Sequence, residues 1–520
     1  MTAPARSFNL ADLFEVVADA CPDRLALVAS GDDTGPAEVR LTYAELDERA
    51  DRVARHLAAA AGVGPGDHVG ILARNRAEWL ESMIACFKLR AAPVNVNYRY
   101  VADELAHLLG DSECVALVAE RDLLPAVDRD RLPLLRHVLT IDGDYETALG
   151  AASPERPSGE RSSDDPYLLY TGGTTGLPKG VLWRCEDIFV AAMGGGNFGG
   201  DPVTAPEQLA ACADRDPLRA QVHAPLMHGG GQWITWITLT TGGTVVLWTG
   251  RHFAARPALE LAVRERSQIL MLVGDGMGRP IADELATGAY EGLEVFAFGS
   301  GGAPLSSGVR ERLLAAVPGA YVSDNLGGSE TGAMGTAVGD GRFQLGPEFA
   351  VLGPDFKPVA PGEEGIVART GHIPIGYWND PGKTAATFAT GPDGRRWALQ
   401  GDHARVEADG TVTLLGRGSL IINTGGEKVF AEEVETVLRA HPAVTDAIVV
   451  GLPDERLGRR VTAVVATDVP GSAERLTDHC RERLAGYKVP RTFVFVESVR
   501  RTPVGKPDYA WARDHAASTT

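Results

Sequence analysis

The sequence predicts an α/β protein that ends in a smaller α+β segment, and three observations carry this expectation. Helical and strand patterns alternate from residue 8 to about residue 160, as expected of layered sheets with mostly parallel strands. The composition changes near residue 416, and beyond that point lie about a hundred residues of compact strand and helix signals, the size of one small domain. Between these regions a strand, YLLYTGG, runs directly into a turn rich in glycine and threonine. At 520 residues the chain is long enough for about two to four domains and a large core.

In chain order, LADLFEVVADA and YAELDERADRVARHLAAAAG place apolar residues at helical spacing and read as amphipathic helices. HVGILA (68–73) reads as a short buried strand, followed by a helix over 77–90, and CVALVAE (114–120) repeats the strand signal. Residues 151–166 are polar and rich in Pro and Ser, and the strand that comes directly after makes them a loop within a larger domain. After GRGSLIINTGGEKVF come a helix (AEEVETVLRAH), strands AIVVGL and RVTAVVAT, a helix around 473–485 and strand TFVFVES. The boundary is placed at Gly418–Ser419, dividing the chain into 1–417 and 418–520.

Charge narrows the function. The formal balance is 50 − 69 = −19, which opposes nucleic acid or an anionic membrane as main partner, because both require a positive footprint. A phosphate ligand must then be held by a few local cations. The six cysteines are scattered without a CxxC pair, the wrong spacing for a zinc site or a small disulfide framework. Asp12, Glu15 and Asp19 fall where a secretory leader needs apolar residues, and no apolar run approaches the roughly 20 residues of a membrane span. The expected location is the cytoplasm.

The strongest local signal is Tyr170-Thr171-Gly172-Gly173-Thr174-Thr175-Gly176-Leu177-Pro178-Lys179-Gly180. Its glycines let backbone N–H groups turn inward, and its threonines and lysine add phosphate donors, so the segment suits a polyphosphate. GxxxxGK[ST] cannot be laid on it, so it is not a Walker A loop. His223 and His228 are five apart, off the spacing of a helical metal pair, and no third ligand is evident.

YTGGTTGLPKG resembles the phosphate-loop signature of the adenylate-forming superfamily, which holds acyl-CoA synthetases, luciferases and peptide-synthetase adenylation domains. The family's further motifs come in its order: Pro225-Leu226-Met227-His228, Gly299 to Pro304, Gly327 to Gly332, Gly401-Asp402, Gly416-Arg417, Gly425 to Val429 and Pro503 to Lys506. The resemblance covers essentially the whole chain. It implies a large multi-sheet N-terminal domain holding the ATP and acyl sites, and a small mobile C-terminal lid with its hinge near Ser419.

The resemblance also implies roles. Thr171, Gly172, Gly173, Thr174, Thr175, Gly176 and Lys179 would receive the phosphates, Thr175 taking part in catalysis. Gly301, Gly302 and Ala303 would wall the adenine pocket, where small residues permit close approach, with Asn325 beside it. Ser329 would contact phosphate and Glu330 would bind Mg²⁺. Asp402 would accept the ribose hydroxyls, Arg417 would contact ribose or phosphate, and His228 would line the pocket between acid and thiol. Lys506 would bridge carboxylate and α-phosphate during adenylation, and Gly425-Gly426 would reach the site in the second step. Two positions depart from the family pattern: Leu326 replaces an aromatic, and Ser419 replaces a charged hinge residue.

The implied reaction is a two-step ligation by ATP, Mg²⁺ and CoA. A hydrophobic carboxylic acid (fatty, aryl or steroid side-chain) becomes an acyl-AMP and then a CoA thioester, releasing pyrophosphate and AMP. GRGSLIINTGGEKVF, YTGGTTGLPKGVLWR and PLMHGGGQW resemble the actinobacterial branch that includes steroid side-chain CoA ligases. The same motifs serve enzymes that activate another oxyacid or use another acceptor, such as nitrite-using diazotases or carrier-protein loading, so that alternative stays open. Trp233, Trp236, Met271, Gly274, Met277 and Met334, with Ala192 to Gly196, are the expected acyl-pocket walls. A monomer or homodimer is expected.

Overall fold

The computed structural model describes residues 6–172, 177–197, 199–302, 305, 307–339, 342–417, 421–439, 441, 443–467, 472–500 and 508–519. Among them the chain is mixed α/β, with sheets of fourteen, seven and five strands. The two larger sheets belong to the large N-terminal region, and the five-stranded sheet uses only strands from Ile421 onward.

In the seven-stranded sheet, His68–Leu72 is flanked by parallel strands Ala92–Asn95 and Cys114–Glu120. Every residue of these three strands is buried, as expected for parallel strands covered on both faces. Strand Pro166–Gly172 joins this sheet parallel to Ala92–Asn95 and returns antiparallel as Pro178–Arg184. In the fourteen-stranded sheet, the strands at residues 219–222, 244–248, 269–272, 297–301 and 321–328 run parallel. It turns antiparallel at the Gly327–Gly332 hairpin and stays so through Arg396–Val406 and Val412–Arg417.

Helices Leu10–Ala20, Tyr43–Ala61 and Ala77–Lys88 contribute to the main core cluster. The second is fixed at both ends: Thr42 and Glu45 form a capping box, and Gly62 closes it at φ 63°, a left-handed position that favours glycine. The helix read over 77–90 stops at Lys88, because Arg90 turns to φ 61° and leads into the next strand. In the small unit the helix expected around 473–485 spans Ala473–Arg481, and helices Ala431–Arg439 and Tyr509–Thr519 pack against the strand Val444–Asp454. No helix among the described residues is long and apolar enough to cross a membrane.

Lys88 is buried with its ammonium 2.9 Å from Glu15, 2.6 Å from Asp47 and 2.6 Å from Asp51. The three carboxylates have the proximity of a cation site, and the ammonium fills it. Burial alone would push the Glu15 carboxyl up; Lys88 and Arg161 outweigh it and hold Glu15 well below the usual range. Asp51 is the opposite case. Burial raises its carboxyl to about 6, the Lys88 charge opposing the rise and Asp47 adding to it.

Lys88→Met leaves three buried carboxylates without their shared cation, and is expected to cost about 3–5 kcal/mol. The checking measurement is the denaturant midpoint of the first unfolding transition, since a chain of several units does not unfold in one step; an unchanged midpoint would show the ammonium to be dispensable. Asp51 takes up a proton on folding, because its folded pKa of about 6 exceeds the ordinary 3.8. Its contribution is present below about pH 4 and is lost as the pH rises through about 6. Asp51→Asn, which cannot ionise, should therefore gain melting temperature relative to wild type across that window, and a parallel pair of curves would refute the assignment.

Candidate active site

Several of the described candidate residues lie at or just past the carboxyl ends of parallel strands, where open α/β sheets bind ligands. Thr171 and Gly172 end strand Pro166–Gly172, Gly301 ends Ala297–Gly301, and Ser329 and Glu330 come directly after Tyr321–Gly328. His228 caps the helix Gly229–Thr240, a few residues beyond strand Arg219–Val222. Gly173, Thr174, Thr175, Gly176, Ala303, Ser419 and Lys506 lie outside the described residues.

Glu330 is buried, and each of its oxygens meets a neutral donor. Tyr377 Oη–H donates to Oε1 at 2.8 Å, and Gln400 Nε2–H donates to Oε2 at 2.7 Å. Gln400 Oε1 in turn accepts from the Thr331 hydroxyl at 3.0 Å. Tyr377 reaches this point because Gly376–Tyr377 pairs with Val181–Leu182 on the return limb of the phosphate hairpin. From the same limb Trp183 Nε1–H donates to the Ser329 carbonyl at 2.9 Å. The hairpin and the Glu330 turn are thus one hydrogen-bonded unit built from two sheets.

The turn requires its glycines. A Cβ at Gly328 would overlap the Gln400 amide, and Gly332, at φ 66°, has the Ala191 carbonyl within 2.6 Å of where a Cβ would stand. Arg369, 3% exposed, donates to the Ala191 carbonyl at 3.1 Å and to the Thr331 carbonyl. Burial lowers its guanidinium to about 10.

Lys179 stands opposite Thr171 near the turn end of the hairpin and pairs with Asp380, whose other oxygen caps the helix Pro381–Thr387 by accepting from Lys383 N–H at 2.8 Å. The Lys179 hydrogen bond holds the Asp380 carboxyl below its ordinary value. Asp402 and Arg417 are direct cross-strand partners, and Asp402 lies two residues past Gln400. Gly301 is registered against Asn325, whose amide donates to the Ser300 carbonyl at 3.3 Å. Leu326 packs against the small core cluster that contains Met334.

Asn95, which no sequence motif singles out, ties the phosphate strand to the histidine segment. Its carboxamide accepts from Tyr170 N–H at 2.7 Å and donates to the Tyr170 and Met227 carbonyls at 2.9 and 2.6 Å. His223 is buried with Nδ1 3.1 Å from the Met271 carbonyl and Nε2 3.0 Å from Gln221, and burial lowers it to about 4, so it packs as a neutral imidazole. His228 is partly exposed. Its Nε2 lies 3.3 Å from Glu427 Oε1, and Arg99 pairs with the same oxygen. Burial pushes the Glu427 carboxyl up, but the His228 and Arg99 charges more than reverse this.

Glu427 arrives on a tight hairpin. Gly425 and Gly426, at φ 57° and 85°, form the two-residue turn between Ile421–Thr424 and Glu427–Phe430, a geometry that needs positive φ at both positions. Glu427 lies in the same sequence motif as the two glycines, and only the contact with His228 and Arg99 distinguishes it from a solvated acid. Of the expected acyl walls, Trp236 is instead a core residue, 1% exposed, edge-on to Phe87 and with Nε1 3.4 Å from Met83 Sδ. Gly195 and Gly196 have positive φ, and Cβ atoms there would overlap Pro202 and Leu209, so these glycines serve packing.

Residues 14–378 match the family model of the AMP-binding enzyme, and residues 433–506 match that of the AMP-binding enzyme C-terminal domain. The chain is 43% identical over 547 residues to the 3-oxocholest-4-en-26-oate–CoA ligase of Rhodococcus rhodochrous, covering 98% of this chain and 96% of that protein. It is 43% identical over 541 residues, with the same coverage, to the medium/long-chain-fatty-acid–CoA/3-oxocholest-4-en-26-oate–CoA ligase of Mycobacterium tuberculosis. Among solved structures, o-succinylbenzoate CoA synthetase from Bacillus subtilis superposes with a TM-score of 0.81 at 26% identity, covering 96% of this chain and 98% of that one. The chain belongs to the AMP-binding enzyme family, in the acyl-CoA ligase branch of the adenylate-forming superfamily.

Proposed function

We propose that this ligase converts a hydrophobic acid, of the medium- to long-chain fatty or steroid side-chain class, to its CoA thioester through an acyl-AMP. The contact of Glu427 with His228 and Arg99 carries the second half of this proposal, because it brings the Gly425-Gly426 hairpin of the small sheet onto the edge of the nucleotide cleft. The substrate class rests on the two relatives' acids and on the predominance of neutral residues in the expected acyl region.

In the first step the acid's carboxylate attacks the α-phosphate of ATP and pyrophosphate leaves. Thr171, Gly172 and Lys179 receive phosphate oxygens, with Gly173 to Gly176 completing the loop, and Lys179 exchanges Asp380 for phosphate as ATP enters. Asn325 and Gly301 to Ala303 hold adenine, while Asp402 and Arg417, adjacent across their strands, take the ribose. Glu330, oriented by Tyr377 and Gln400, fits a divalent ion such as Mg²⁺ carried with the phosphates. Such an ion neutralises phosphate charge when bound. Lys506 supplies fixed positive charge between carboxylate and α-phosphate. In the second step the unit from residue 418 onward pivots near Ser419, Lys506 withdraws, and the thiol attacks the acyl carbonyl beside His228 as AMP leaves. Alternation lets one cleft first exclude water and then admit a thiol.

AMP release from Mg·ATP across fatty, aryl and steroid side-chain acids should require both acid and CoA. Release without CoA on every acid would move the assignment to another acceptor. Lys506→Ala should lose adenylation by about 10²-fold or more, as removal of a fixed charge from a developing oxyanion does, while sparing thioester formation from supplied acyl-AMP; near-normal adenylation would remove Lys506 from the site. Tyr377→Phe deletes one of the donors that orient Glu330. It should weaken Mn²⁺·ATP binding, read by electron paramagnetic resonance, by about tenfold, and unchanged binding would separate Glu330 from the metal.

A further inference from the structure

The small sheet is fastened to the large region by a charge cluster that the two-step reaction leaves partly unused. Lys488 stands ahead of strand Thr492–Val496, and its ammonium lies 2.7 Å from Glu104 Oε1, with side-chain exposures of 2% and 4%. Glu104 belongs to the first turn of helix Ala102–Asp111, and its other oxygen accepts from Val101 N–H at 3.1 Å. The same ammonium lies 5.0 Å from the Tyr100 ring centroid and 5.9 Å from that of Tyr487. Ala485 is fully buried in the core cluster that also holds Tyr100, Leu105 and Leu108, so the small unit contributes to a core of the large region. One residue before Tyr100, Arg99 pairs with Glu427. The short stretch Arg99–Glu104 therefore receives two separate parts of the small unit through opposite charges.

A buried ion pair gives little net stability, yet losing one partner leaves an uncompensated charge, so the pair penalises arrangements that separate it. Lys488 travels with the small sheet and Glu104 stays with the large region, so the pair defines a single relative pose. We propose that Glu104 and Lys488 form a latch that fixes the small sheet where Glu427 meets His228, making them positioning residues for acyl transfer to the thiol with no part in adenylation. This inference rests on the two-step reaction proposed for the enzyme.

Glu104→Gln keeps an acceptor for Val101 N–H and removes the charge that faces Lys488. Acyl-AMP formation, followed by pyrophosphate exchange, should stay within about twofold of wild type, while thioester formation from supplied acyl-AMP and CoA falls at least about tenfold. Lys488→Met should show the same split, and the exchange Glu104→Lys with Lys488→Glu should regain part of the loss. Equal losses in both half-reactions, or undiminished thioester formation, would overturn the latch. A second readout needs no substrate. All six native cysteines are buried, so spin labels can be placed at Leu134→Cys and Phe495→Cys, which are 49% and 40% exposed in the large and small units. A label-to-label distance distribution that broadens in Glu104→Gln supports the latch, and an unchanged one refutes it, whichever acid and acceptor the enzyme uses.

Discussion

A carboxylate withdrawn from water must be met by donors, and Glu330 is met from two strands that belong to different sheets. Tyr377 comes from the seven-stranded sheet and Gln400 from the fourteen-stranded one. To deliver both, the phosphate hairpin and the Gly327–Gly332 turn must approach closely, and the Trp183 bond to the Ser329 carbonyl fixes that approach. Gly328 is required by the same constraint, because the Gln400 amide occupies the place of its missing side chain. Arg369 completes the arrangement by fastening the turn to the end of helix Cys185–Ala192. Orientation of the acid, the phosphate loop and the floor beneath them thus depend on one buried carboxylate being satisfied.

The parts legible in the sequence are those with a local cause. Strand Pro166–Gly172 and the glycine-rich turn after it are written in consecutive residues, as is the change of pattern near residue 416. The Gly425-Gly426 hairpin has an equally local cause, since glycine suits its two positive φ angles. The parts hidden from the sequence are contributed across the fold. Asn95, Tyr377 and Gln400 are ordinary polar residues until the sheets place them against Tyr170, Met227 and Glu330. Trp236 misleads for the converse reason: periodicity puts it on the same helix as Trp233, but only packing against Phe87 and Met83 shows that it faces the core.

The net charge of −19 has a visible consequence in the cleft. Lys179 and Arg99 are each held by a carboxylate, Asp380 and Glu427. A cation so paired stays in place without attracting stray anions, and an incoming phosphate must offer more than the carboxylate it displaces. The polyanionic tail of a nucleoside triphosphate does so; a lone carboxylic acid does not. On the proposed role of Lys179 in receiving phosphate, selectivity for the polyphosphate begins with competition inside the protein.

The pivot expected from the sequence, Gly418-Ser419, carries no charge. A neutral pivot permits rotation without an electrostatic preference for either end point, so any preference must come from contacts farther out. Arg99 with Glu427 and Glu104 with Lys488 are such contacts, and both are made on one short stretch of the large region. Because the cost of dehydrating such charges nearly cancels their attraction, pairs of this kind can specify a pose sharply while binding it only weakly. The proposed two-step reaction, in which the small domain leaves after each turnover, needs that combination: an arrangement accurate enough to bring Glu427 to His228, and a hold light enough to release.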